Sequence, residues 1–134
     1  DGATWDNIIQ LDISKVSFLT DQDLNDNNII GIGSAGFTQE LDNGSKTTSF
    51  SIDFGTDQKQ KVTLTANTMT ITLSASQVGN YQLKIVNGGL ATITWSTSNW
   101  AGGTAPSLTS SGTDILSFYY DGTNFYGVSS LDFS

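Results

Sequence analysis

Asp21, Asp23 and Asn25, followed by Asp26, put oxygen-bearing side chains at alternate positions, as the opening of a calcium loop does. Such a loop wants Gly at its sixth position and a bidentate Glu at its twelfth; here Asp26 and Ile32 stand there. Only half the pattern is present, and a solvated acidic turn is the simpler reading. Calcium on Asp21, Asp23 and Asn25 is the one metal with any support in the sequence; otherwise no cofactor is expected. Asp53, Asp57, Asp114 and Asp121 could in principle pair for glycoside cleavage. All four lie in or beside turn signals, where Asp is favoured for its local hydrogen bonds. A chain with twelve Asp offers such pairs by composition alone, so no catalytic residue is assigned and an enzyme is the weakest reading.

A third set is aromatic: Trp5, Trp95, Trp100, Tyr119, Tyr120, Phe125 and Tyr126. Exposed rings serve as flat apolar platforms for sugars when polar groups edge them. Trp95, Phe118 and Tyr120 fall on the apolar side of alternating runs and are expected in the core. Tyr119 falls on the polar side, and Trp100, Phe125 and Tyr126 lie at loop edges. Trp100, Tyr119, Phe125 and Tyr126 are therefore the ligand-binding candidates, against partial burial or subunit contact. Asn43-Gly44-Ser45 matches a glycosylation acceptor, but a turn is the simpler reading.

What is missing narrows the chemistry. The chain has no His, no Cys and no Arg. That removes Ser-His and Cys-His pairs, ordinary zinc sites, disulfides and bidentate arginine forks. A net charge of −8 repels nucleic acid, so none is expected as a partner. No apolar run approaches the ~20 residues of a spanning helix, and no membrane insertion is expected. The chain opens on Asp1 rather than Met, with no signal peptide, and reads as a piece of something longer.

Charged residues make up 13% of the 134, about half the usual share, while Thr (18) and Ser (17) are abundant. Ten of the thirteen acids and four of the five lysines lie in residues 1–61, so the rest must present an uncharged surface of hydroxyls and amides. The apolar period after Phe50 is two. Phe50/Ile52/Phe54, Val62/Leu64, Met69/Ile71/Leu73, Tyr81/Leu83/Ile85, Ile93/Trp95 and Leu116/Phe118/Tyr120 alternate with mostly polar residues. This predicts six strands, each with one buried face. Asp42-Asn43-Gly44, Gly55-Thr56-Asp57, Gly79-Asn80, Asn87-Gly88-Gly89 and Asp121-Gly122-Thr123 are turn signals. The first predicts a hairpin with arms 37–41 and 47–54. Strand spacing of about ten residues predicts an all-β fold, an antiparallel, jelly-roll-like β-sandwich with little or no helix. No internal repeat of solenoid type is legible. Residues 1–35 read as an N-terminal strand or linker joining an upstream domain, with one short helical turn at 20–26, and residues 36–134 as the sandwich. The longest loop runs from Asn99 to Thr113 around Pro106.

From about Ser45 to Gly127 the chain resembles a strand-rich module of bacteriophage tail fibres and related virion appendages. The matching pieces are TTSFSIDFGTDQKQKVTLTANTMTITL, YQLKIVNGGLATITW and, most specifically, NWAGGTAPSLTSSGTDILSFYYDGTNFYG. Ala101 stands where that family often has Pro. The resemblance implies a non-enzymatic structural and adhesion module of a tail fibre, head fibre or capsid decoration, located at the virion surface. Its implied partners are itself, as a homotrimer or other homo-oligomer, other virion proteins, and host-surface polysaccharide. It carries over no catalytic residue. The alternative is a carbohydrate-binding module of a secreted protein.

Overall fold

The computed structural model describes residues 33–37 and 39–134. The expectations for Asp21, Asp23 and Asn25, for Trp5 and for residues 8–26 concern positions outside these. The chain divides between Ala35 and Gly36, and the second unit, 36–134, is the one described below.

Its residues form nine strands: β1 Leu41–Lys46, β2 Phe50–Asp53, β3 Lys59–Leu64, β4 Thr68–Ser74, β5 Gly79–Val86, β6 Thr92–Trp95, β7 Ser98–Trp100, β8 Thr113–Tyr120 and β9 Phe125–Phe133. Among the described residues the only helical pieces are single 3₁₀ turns at Gly88–Leu90 and Ala101–Gly103. Among the described residues no helix is long and apolar enough to cross a membrane. The all-β expectation and its six strands therefore hold.

The connectivity corrects the jelly-roll sandwich. From β1 to β7 successive strands alternate between two sheets, one ordered β1-β3-β5-β8-β9-β7 and the other β2-β4-β6. β1, β3 and β5 pair in parallel, and so do β2, β4 and β6. The chain thus winds three coils of a β-solenoid-like body. Register partners one coil apart are Leu41 and Gln60, Phe50 and Ile71, Lys59 and Gln82, and Thr68 and Thr92. The step between partners changes from coil to coil, which hides the repeat. The antiparallel hairpin β8–β9 then docks on β5, and β7 pairs in parallel with β9 at the far edge. Period-two alternation is common to parallel and antiparallel strands, so it specifies strands and their buried faces but not their direction.

Two turn signals also shift. Asp42-Asn43-Gly44 lies inside β1, where the pairing to β3 slips between Asp42 and Ser45 and Gly44 has φ 71°. The left-handed residue that a hairpin needs serves here as a bulge in an edge strand. Gly79-Asn80 opens β5. The signals at 55–57, 87–89 and 121–123 are true corners.

The core lies between the two sheets. Ile52 and Phe54 meet Val62 and Leu64, Met69, Ile71 and Leu73, Tyr81, Leu83 and Ile85, and Leu116, Phe118 and Phe125. Like side chains stack on like positions in adjacent coils, as Val62 does with Ile85, Ile52 with Leu73 and Met69 with Ile93. Each fully buried aliphatic or aromatic side chain contributes about 1.5–3 kcal/mol.

Two polar side chains are built into this interior. Gln60, 2% exposed, shares the inner face of β3 with Val62 and Leu64. Its Nε2 donates to the carbonyls of Asp53 (2.7 Å) and Asp57 (3.0 Å), and its Oε1 accepts from Asn43 Nδ2 (3.0 Å). It ties the β2–β3 corner to the β1 bulge. Asn43 Nδ2 also donates to the Lys61 carbonyl, so the amide of the glycosylation motif is spent on the fold. Asp114, fully buried at the start of β8, accepts from Thr109 N and Oγ1 (both 2.7 Å) and from Asp132 N (3.0 Å). The loop 101–112 is shorter than expected because Asn99 and Trp100 belong to β7. Gly89 N–H donates to Thr109 O and holds that loop against the solenoid corner, where Leu108 packs on the core.

Candidate functional site

The outer faces of both sheets are polar and nearly uncharged beyond β3. On the small sheet Thr68 and Thr92, and Thr70 and Thr94, are register partners, and the Thr72 and Ser96 hydroxyls lie 2.9 Å apart. On the large sheet the alternation of β5, β8 and β9 turns Asn80 and Gln82, Ser117 and Tyr119, and Tyr126 and Val128 outward. Register places Asn80 opposite Tyr119, Tyr119 opposite Tyr126, and Tyr126 opposite Asn99 of β7. Four adjacent strands thus contribute one row, Asn80–Tyr119–Tyr126–Asn99, with Gln82 and Ser117 in the next.

The two tyrosines are 49% and 45% exposed, and their rings stack at 6.3 Å between centroids and 27° between planes. They lie in an open groove of about 490 Å³, bordered by Trp100 and Val128 and by the amides of Asn80, Gln82 and Asn99. Among the described residues no charged side chain lines it. Just beyond it, Asp121 closes the β8–β9 hairpin, its Oδ1 accepting from Thr123 N (2.8 Å) and Asn124 N (2.7 Å). Those two N–H donors hold the Asp121 carboxyl below the usual carboxylate range. The negative charge of Asp121 in turn raises the Tyr126 phenol above its ordinary value, with desolvation adding to it. Tyr126 therefore presents a neutral phenol at physiological pH.

Of the four aromatic candidates, Trp100, Tyr119 and Tyr126 line this one groove. Trp100 is half-buried, edge-on to Trp95 (5.0 Å, 68°) and Phe118 (5.5 Å, 64°), and forms a wall more than a floor. It can lie there because its register partner is Gly127, whose missing Cβ would come within 2.7 Å of the indole. Among the described residues the indole Nε1 and Ser98 Oγ, both buried, have no hydrogen-bond partner. Phe125 lies elsewhere. The Asp121-Gly122 turn is tight enough that Phe125 begins β9 opposite Tyr120 and points inward, 2% exposed. Trp95 and Tyr120 pack on the core while half-buried, and Phe118 is fully within it.

Asn80, Gln82 and Asn99 were not singled out in the sequence. Parity was the available signal: each stands an even number of residues from an outward neighbour on its strand, but pairing across strands is needed to gather them. Three of the four carboxylates accept local hydrogen bonds. Asp53 Oδ1 accepts from Gly55 N, Asp114 is enclosed by Thr109 and Asp132, and Asp121 is occupied by its turn. Among the described residues no three acidic side chains gather as a metal site would require.

What the arrangement offers is adsorption: an apolar stacked floor with donors and acceptors on both sides, open along its length. No known protein family, curated protein or solved structure matches the chain.

Proposed function

We propose that this protein is a non-enzymatic adhesion and assembly module of a virion appendage, which presents the Tyr119–Tyr126 groove to a host surface. The observation that carries the reading is the outer row Asn80–Tyr119–Tyr126–Asn99 on a rigid sheet. It is a contact surface made of side chains that hold and do not react. The block that resembles tail-fibre modules, Trp100 to Gly127, is the one that supplies the loop, hairpin and groove wall. The hydroxyl-bearing outer face of β2-β4-β6 suits contact between copies, because burying Thr and Ser costs less than burying charge. In a homotrimer each weak groove would count three times, and avidity would supply attachment.

Fluorescently labelled chain applied to intact bacteria, with sedimentation equilibrium at micromolar concentration, tests this. Adhesion to a subset of strains together with a multimer supports it. A monomer that adheres to no strain overturns it. The alternative, a carbohydrate-binding module of a secreted protein, is favoured by the same groove and predicts retention on a polysaccharide by a strict monomer.

A further inference from the structure

We infer that the groove on β5, β8, β9 and β7 binds an uncharged linear polysaccharide lying across the strands, one sugar over each register position. This deepens the adhesion reading and rests on it. Neighbouring strands are about 4.8 Å apart, close to the repeat of one pyranose in an extended glycan. Asn80, Tyr119, Tyr126 and Asn99 are consecutive partners across four such strands. A chain crossing the sheet would set two sugar rings on the two tyrosines, C–H faces down. The terminal amides would then meet hydroxyls at either end. Gln82 and Ser117, register partners in the adjacent row, face the same side and add a donor and acceptor midway. The two tyrosine rings, 6.3 Å between centroids on neighbouring strands, offer two adjoining contact positions rather than one, which favours a polymer segment over a single sugar.

Charge selects the class. Among the described residues the groove wall holds no Lys, and the carboxylate of Asp121 stands beside Tyr126. The whole chain carries −8. A uronic or sialic acid polymer would bring its carboxylates to a surface with no cation to receive them, against a repelling field. Amides satisfy hydroxyl and acetamido groups without that penalty.

The test uses the full chain on an array of neutral polymers (cellulose, mannan, amylose and chitin fragments) and anionic ones (hyaluronan, polygalacturonate, polysialic acid), followed by titration with the fragments that are retained. Binding confined to neutral polymers is expected. Affinity should climb from disaccharide to about tetrasaccharide and then level off, as four strands allow. Tyr119→Ala and Tyr126→Ala should each weaken it about tenfold, the loss of one stacking contact. Asn99→Ala should weaken it less, with Val78→Ala, exposed but outside the groove, as an unchanged control. Equal or better binding of anionic polymers, no binding to any neutral polymer, or binding indifferent to both tyrosine replacements overturns the inference. So does a multimer that falls apart in Tyr126→Ala, which would make the groove a subunit contact. If intact bacteria retain the wild type and lose Tyr119→Ala while every neutral polymer fails, the ligand class is wrong and the adhesion reading survives. If bacteria retain neither, the adhesion reading itself has failed.

Discussion

Asp114 Oδ1 accepts the backbone N–H of Asp132 at 3.0 Å, across the one place where the β8–β9 register slips. Thr113 pairs with Phe133 and Ile115 with Ser130, so the extra residue between them leaves the ladder, and Asp132 adopts φ 61°. An N–H that would otherwise be stranded is received by a carboxylate that is fully buried. One side chain therefore anchors both the long loop, through Thr109, and the end of the last strand.

Replacing it exposes how much rests there. Asp114→Ala leaves two backbone donors and a hydroxyl without acceptors, each costing about 1–3 kcal/mol. A loss of at least 3 kcal/mol is expected, read as a lower urea midpoint. Proteolysis near Thr109 should become faster in the variant under native conditions.

Gln60 holds the coil corner in the same manner. Gln60→Leu keeps the volume and removes every bond, leaving the Asp57 carbonyl and one hydrogen of the Asn43 amide to find water. About 2–4 kcal/mol should be lost by urea unfolding. Gln60→Glu should also destabilise, because it replaces the donating amide by a second acceptor facing two carbonyls.

Gly127 is needed for the aromatic wall. An added Cβ would stand 2.7 Å from Trp100 Cζ3 and 2.9 Å from Phe118 Cε1, both rings that cannot fold away. Gly127→Ala should displace the Trp100 ring, weaken the near-ultraviolet circular dichroism of the tryptophans, and cost about 1–3 kcal/mol. The far-ultraviolet spectrum should hardly change.

The pH response follows from the Asp121 turn. Its carboxyl titrates lower when folded than when unfolded, so the stability it adds is present above the unfolded value of about 3.9 and is lost as pH falls through the folded one. Wild type and Asp121→Ala should therefore differ in melting temperature at neutral pH and converge in acid. The same variant removes the charge that raises Tyr126, so the tyrosine absorbance change near the alkaline end should move to lower pH for one phenol. An unaltered titration curve would mean that Asp121 does not govern Tyr126.

Strand identity was legible because Met69, Ile71 and Leu73, or Tyr81, Leu83 and Ile85, cannot face a core in any other way. Strand direction was not. Nothing in the alternation of β3 or β5 separates a coil from a hairpin, and Asn43-Gly44 is as good a bulge as a turn. The position of Tyr119 was legible from parity with inward Phe118. Phe125 was misplaced because its position at a strand end was read as exposure, whereas it pairs with inward Tyr120 and shares its side of the sheet. Gln60 could have been placed by counting back from Val62, but only the corner carbonyls explain why an amide is tolerated there. The amides of the groove come together through pairing between strands far apart in sequence, which one strand's pattern does not contain.

A coil of parallel strands is an invitation to endless stacking, since each terminal strand offers unpaired backbone to the next molecule. Among the described residues the large sheet finishes on β7, three residues long, at one side and on the bulged, Asp42-bearing β1 at the other. Both are poor templates. Growth of the large sheet by strand addition should accordingly be slow even at high concentration.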